Sequence, residues 1–176
     1  MGQEIIIAGF GGQGIMAMGS LLAYASMLEK KKVSWLPSYG PEMRGGTANC
    51  TVVISEEEIG SPVVAEPTAV IAMNRPSLDK FEPLLRPGGF LFINTSLIDR
   101  EAKRQDVKVV QVPATTIAGE LGNLKVANMV MLGAFVKVTG VVRFDTLLLA
   151  LQKALPERHR HLIPLNEQAL KRGASL

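Results

Sequence analysis

Cysteine is nearly absent: Cys50 is the only one in 176 residues. No intrachain disulfide can form, which fits a reducing, cytoplasmic setting. Aromatic residues are scarce at 5%, so Ile, Val, Leu, Ala and Met must fill the core. No apolar stretch reaches the roughly 18 uninterrupted residues of a membrane span. The opening run MGQEIIIAGFGG has no basic residue ahead of its apolar part and reads as a strand, not a secretory signal. A long basic block is also missing. Nineteen Lys and Arg give a net charge of +3, and the densest run, Lys30-Lys31-Lys32, falls where a helix is expected to end, a place where cations favour the helix dipole. Nucleic-acid binding needs a basic stripe with aromatic platforms, and neither is present.

What remains is an ordinary globular composition, 47% hydrophobic and 20% charged, in a length that suits one domain over residues 1–176. Eight methionines suit gap-filling in a core and also adaptable interaction surfaces.

Strands and helices alternate along the first two-thirds. Ile5, Ile6 and Ile7 form a short apolar run, the pattern of a strand buried on both faces. Ile15, Met18, Leu22 and Ala25 then fall on one helical face, with Gly19 small enough to let that helix lie against a sheet; the helix should end near Lys31. A second strand is expected over 33–36, stopped by Pro37. Further strands are expected over 47–55, 68–73, 90–94 and 107–112, with helices over 75–85, 114–121, 126–138, 144–155 and 165–172. Alternation of this kind implies βαβ units. The expected fold is α/β and Rossmann-like, with a mostly parallel sheet flanked by helices and a helix-rich C-terminal third.

Gly9, Gly11 and Gly14 satisfy G-x-G-x-x-G between a strand and a helix. The first glycine would permit the tight turn, the second close backbone approach to a ligand, and the third close helix–strand packing. A phosphate fits such a loop because free N–H groups and the helix dipole favour negative charge. A nicotinamide nucleotide would also need Asp or Glu at the end of the second strand. That position reads Trp35-Leu36-Pro37-Ser38, which weakens a dehydrogenase reading; glycines that merely pack the helix remain a further alternative.

The next loop, Ser38-Tyr39-Gly40-Pro41-Glu42-Met43-Arg44-Gly45-Gly46, offers a hydroxyl, a phenol, a carboxylate and a guanidinium. Arg44 is suited to clamp a phosphate or carboxylate, and Gly45 and Gly46 allow close approach. In a doubly wound sheet this loop would lie beside the glycine loop, at the carboxyl edge where ligands bind. An ordinary solvated loop with a Glu–Arg pair is the plain alternative. His159 and His161 lie in a basic late loop without a completing ligand set, so they read as surface residues and no metal site is expected.

Together, Gly9-Phe10-Gly11-Gly12-Gln13-Gly14 and the 38–46 loop resemble the gamma subunit family of 2-oxoacid:ferredoxin oxidoreductases, of the pyruvate/ketoisovalerate oxidoreductase domain family, a module that also occurs inside the large single-chain pyruvate:ferredoxin oxidoreductases. Val52-Val53-Ile54-Ser55, Ile59-Gly60-Ser61-Pro62, Ala72-Met73-Asn74, Pro87-Gly88-Gly89, Asn128, Gly133 and Asn166 extend the likeness over nearly the whole chain. The resemblance implies CoA-dependent oxidative decarboxylation of a 2-oxoacid to acyl-CoA, CO2 and reduced ferredoxin. The 2-oxoglutarate type is the most similar; pyruvate and branched-chain acids stay open.

That reaction uses thiamine diphosphate, Mg2+, [4Fe-4S] clusters and CoA. One cysteine cannot hold a four-cysteine cluster, and no Gly-Asp-Gly segment is present to begin a thiamine–magnesium site. No cofactor is therefore expected on this chain alone, and it would be active only as a subunit. Alpha, beta and delta-type (ferredoxin-like) subunits and ferredoxin are the implied partners, with no nucleic acid or membrane; the isolated chain would expose its partner surface and could pair as a homodimer. Gly9, Gly11, Gly12, Gln13, Gly14, Ser38, Arg44, Gly45 and Gly46 are the candidate cofactor-binding residues. Tyr39, Glu42 and Arg44 are the candidate catalytic groups. A stand-alone NAD(P)-dependent dehydrogenase and a non-catalytic nucleotide-sensing or assembly module are the competing readings.

Overall fold

A computed structural model describes residues 2–38 and 47–176. Among these, six strands form one sheet: β1 (Gln3–Phe10), β2 (Lys32–Ser38), β3 (Thr47–Ser55), β4 (Ala69–Ala72), β5 (Phe90–Asn94) and β6 (Lys108–Val112). Their order is β2-β3-β1-β4-β5-β6. β3 pairs antiparallel with both β1 and β2, and the other three pairings are parallel. Only β3 runs against the rest, so the expected mostly parallel sheet forms.

The helices are α1 (Ile15–Leu28), α2 (Arg75–Phe81), α3 (Ala114–Glu120), α4 (Ala127–Thr139), α5 (Phe144–Ala154) and α6 (Ile163–Ala174). Both faces of the sheet are covered, which is why β1 is apolar at consecutive positions. Ile5 and Ile7 join the larger core under α1 and α3 to α6, while Ile6 and Ala8 join a smaller one with Leu78 and Phe81 of α2. The helix-rich C-terminal third thus covers one face. Its α4 is buried on all sides over Ala127 to Val136, because α6 crosses it closely. A side chain on Gly133 would meet the Leu170 carbonyl, and one on Gly173 the Val130 carbonyl.

Local chemistry sets the element ends. Asn74 caps α2 by accepting from Ser77 N at 3.0 Å, and a proline follows in the first turn. Gly140 closes α4 in a left-handed conformation, φ 63°.

Two expectations change. Pro37 does not stop β2, which runs to Ser38 and pairs Pro37 with Cys50. β2 lies at the sheet edge, where a missing N–H need not break the ladder. The Lys30–Lys32 run does not sit on α1 either. The helix ends at Leu28; Lys30 turns the chain at φ 62°, Lys31 pairs with Glu29, and Lys32 opens β2 and pairs with Glu58.

Candidate functional site at the carboxyl edge of the sheet

The chain leaves β1 toward β2 and β3 on one side and later returns to β4 on the other. The carboxyl end of β1 is therefore the point where strand order reverses, the usual ligand crevice of an open α/β sheet. The glycine loop lies there.

Its glycines divide the work differently from the expected assignment. Close approach belongs to Gly9: a side chain there would come within 2.5 Å of Gln13 Oε1, 2.7 Å of Ile15 Cδ1 and 2.9 Å of Met73 Cβ. Left-handed backbone belongs to Gly12 and Gly14, at φ 90° and 72°. Gly14 also makes room for the Asn128 side chain of α4 rather than for a strand.

Two side-chain amides hold the loop, and a third, Asn94, shares the Met73 carbonyl that one of them uses. Gln13 Oε1 accepts from Phe10 N at 2.6 Å, and Gln13 Nε2 donates to the Met73 carbonyl at 3.4 Å. Asn94 Nδ2 donates to the same carbonyl at 3.2 Å, and its Oδ1 accepts from Ala114 N at 3.1 Å. Asn128 Nδ2 donates to the Gly14 carbonyl at 3.2 Å. The carboxyl ends of β1, β4 and β5 are thereby tied to the starts of α1, α3 and α4. The G-x-G-x-x-G pattern shows none of this bracing. The visible signal for Asn128 is a polar residue at the head of the apolar run Ala127-Asn128-Met129-Val130-Met131-Leu132.

The loop fits an anion. Gly11 and Gly12 are exposed. α1 starts without a side-chain cap and with no acidic residue in its first turn, leaving its positive end to a ligand.

Ser38 ends β2 opposite Asn49, while Phe10 ends β1 opposite Thr47. Both therefore reach the same sheet edge, with β3 between them. At the usual spacing of nearly 5 Å per strand, Ser38 lies about 10 Å to the side of the glycine loop. Tyr39, Glu42, Arg44, Gly45 and Gly46 lie outside the described residues.

This topology argues against a nicotinamide site. A dinucleotide fold sets the second strand directly beside the first. Here β3 takes that place, and β2 carries no carboxylate between Lys32 and Ser38.

Cys50 does not fit a cluster ligand. It is fully buried, its Sγ donates to the Ile15 carbonyl at 3.6 Å, and burial pushes its pKa up to about 11. His159 and His161 stand on a 3-10 turn, Glu157–Leu162. Among the described residues no group of three His, Cys, Asp or Glu side chains is placed to hold a metal, and no helix is long and apolar enough to cross a membrane.

The family model described as pyruvate ferredoxin/flavodoxin oxidoreductase matches residues 4–176. The chain belongs to that family. Ketoisovalerate oxidoreductase subunit VorA of Methanothermobacter marburgensis is 46% identical over 142 residues, 81% of this chain but only 29% of VorA. The chain thus spans under a third of that relative. 2-Oxoglutarate synthase subunit KorC of Methanocaldococcus jannaschii is 36% identical over 160 residues, 89% of this chain and 86% of KorC. Among solved structures, the gamma subunit of a keto/oxoacid ferredoxin oxidoreductase from Geobacter sulfurreducens superposes with a TM-score of 0.85 at 30% identity, covering 98% of this chain and 96% of that one.

Proposed function

We propose that the chain is the gamma-type subunit of a 2-oxoacid:ferredoxin oxidoreductase, an assembly that converts a 2-oxoacid and CoA to acyl-CoA and CO2 and passes the electrons to ferredoxin. The observation that carries this reading is the braced glycine loop at the strand-order reversal of a domain matched by the family over residues 4–176. Within the assembly the chain supplies one wall of the CoA site. Gly11, Gly12 and Gly14 present backbone to a CoA phosphate, Gln13 holds the turn, and Ser38, Arg44, Gly45 and Gly46 are further candidate cofactor-binding residues. Tyr39, Glu42 and Arg44 are the groups nearest to chemistry in this proposal.

Thiamine diphosphate, Mg2+ and the [4Fe-4S] clusters belong on partner subunits of alpha, beta and delta type. The lone, buried thiol of Cys50 supports that division and suits a cytoplasmic enzyme. For the acid, 2-oxoglutarate comes first, because the KorC relative is matched over 86% of its length. Ketoisovalerate comes second, on the higher identity of VorA, 46%.

The test is a screen of the assembled complex with 2-oxoglutarate, ketoisovalerate and pyruvate. The expected result is CoA-dependent ferredoxin reduction with one acid preferred. Micromolar binding of NADH by the isolated chain, with no CoA-dependent turnover of the complex, would overturn the reading.

A further inference from the structure

Two hollows on the outer side of α1 join into one trough. The first, about 480 Å³, is floored by Leu21, Met129 and Leu151 and walled by Leu155, Leu162 and Leu165. The second, about 570 Å³, runs on past Tyr24 and Met27 to Trp35 at the edge of the sheet. Ser20 and Ala154 line both. Met27 is 60% and Trp35 37% exposed, more apolar surface than a lone side chain at a solvent face requires.

The trough has a charge. Lys125 lines the first hollow and Lys153 the second, and no Asp or Glu lines either among the described residues. Neither lysine has an ion-pair partner among the described residues. The trough also has a length. It follows α1 from Ala17 to Met27, eleven residues, whose ends at about 1.5 Å per step lie roughly 15 Å apart, or close to three helical turns. A small ligand would fill one hollow and leave the other open to water. An amphipathic helix fills both, laying its apolar stripe along the floor. Methionines at both ends, Met129 and Met27, suit such an adaptable seat.

We infer that this trough docks an amphipathic helix of a partner subunit, one with an apolar stripe and acidic flanks that meet Lys125 and Lys153. The inference rests on the proposed role as a subunit of a larger assembly. An anionic partner is favoured over a second copy, because this chain is itself cationic at +3. The docked helix would also lie against Asn128, which lines the first hollow and holds Gly14. Docking and the glycine loop would then share one residue.

The experiment uses the co-expressed complex purified through a tag on this chain. A carbodiimide, which joins Lys directly to Asp or Glu, is followed by sequencing of the linked peptides. The expected result is that Lys125 and Lys153 link to carboxylates of one helical segment in a partner subunit. In parallel, Ser20→Arg with Ala154→Arg, both at exposed positions, should reduce recovered partner at least tenfold. Lys125→Glu with Lys153→Glu should weaken recovery most at low salt. The melting temperature of each isolated variant should stay unchanged. Leu97→Glu, at an exposed position that lines neither hollow, should recover the partner fully. Full recovery with the Ser20 and Ala154 variant, or lysine links only between copies of this chain, would overturn the inference while leaving the subunit role intact. A wild-type chain that brings down no subunit would overturn both.

Discussion

Asn128 donates its side-chain amide to the Gly14 carbonyl at 3.2 Å, across 114 residues of sequence. That bond fastens the head of α4, in the helical C-terminal third, to the loop that opens α1. It needs a glycine at position 14, because a side chain there would collide with the Asn128 amide. The glycine loop is thus held by a residue from a different part of the chain.

Removing the amide should loosen the loop without unfolding the domain. Loss of a partly buried hydrogen bond costs about 0.5–1.5 kcal/mol, and for a chain of this size each kcal/mol shifts the melting temperature by roughly 2–4 °C. Asn128→Ala should therefore melt a few degrees lower. In the assembled complex it should raise the KM for CoA more than it lowers kcat. An unchanged KM for CoA would remove Asn128 from the site.

Gly12 and Gly14 should respond unequally to alanine. Both have positive φ, a conformation that costs an L-residue about 1–2 kcal/mol. Gly12 faces open space, whereas Gly14 also faces Asn128. Gly14→Ala should lower the denaturant midpoint clearly more than Gly12→Ala. Gly14→Ala combined with Asn128→Ala should recover part of the difference. Equal midpoints for the two single variants would contradict the clamp.

Cys50 makes a prediction in pH. Burial raises its pKa from an ordinary 9.0 to about 11. A group whose folded pKa is raised supports the fold below its unfolded pKa and loses that support as pH rises through the folded one. Stability should therefore fall between about pH 9 and pH 11, by an amount on the order of 2–3 kcal/mol at about 1.4 kcal/mol per unit. Cys50→Ala should flatten that part of the stability curve. Iodoacetamide at pH 8 should label the unfolded chain and spare the native one; rapid native labelling would refute the buried position.

The α4–α6 crossing should tolerate nothing larger than glycine at two positions. Gly133→Ala and Gly173→Ala each drive a methyl into a backbone carbonyl, of Leu170 and Val130 respectively. Overpacking of this kind usually costs about 1–3 kcal/mol, and backbone yields less than a flexible side chain. Each variant should lose at least several degrees of melting temperature. A wild-type melting curve for either would contradict the close crossing.

The α/β alternation and most element positions were legible because the local patterns are strong. The strand expected over 90–94 forms as Phe90–Asn94, and the helix expected over 144–155 forms as Phe144–Ala154. The reversed direction of β3 was not legible. Its alternation, Ala48, Cys50, Val52 and Ile54 on one face, reads the same in either direction. Pro37 misled because proline ends a central strand but not an edge one, and edge position is a tertiary fact. At the site, the glycines were visible by spacing, and their division of labour was not. Whether a glycine serves φ or close approach depends on what faces it, and Met73 and Asn128 face it from far along the chain.

The proposed role makes this chain an essential but non-autonomous part of a CoA-dependent enzyme. The direct measurement is ferredoxin reduction by 2-oxoacid and CoA, with this chain alone, with the partner subunits alone, and with both recombined. The account predicts turnover only in the recombined sample, and none when CoA is withheld. Turnover by the chain alone, or full turnover by the partners without it, would contradict the account.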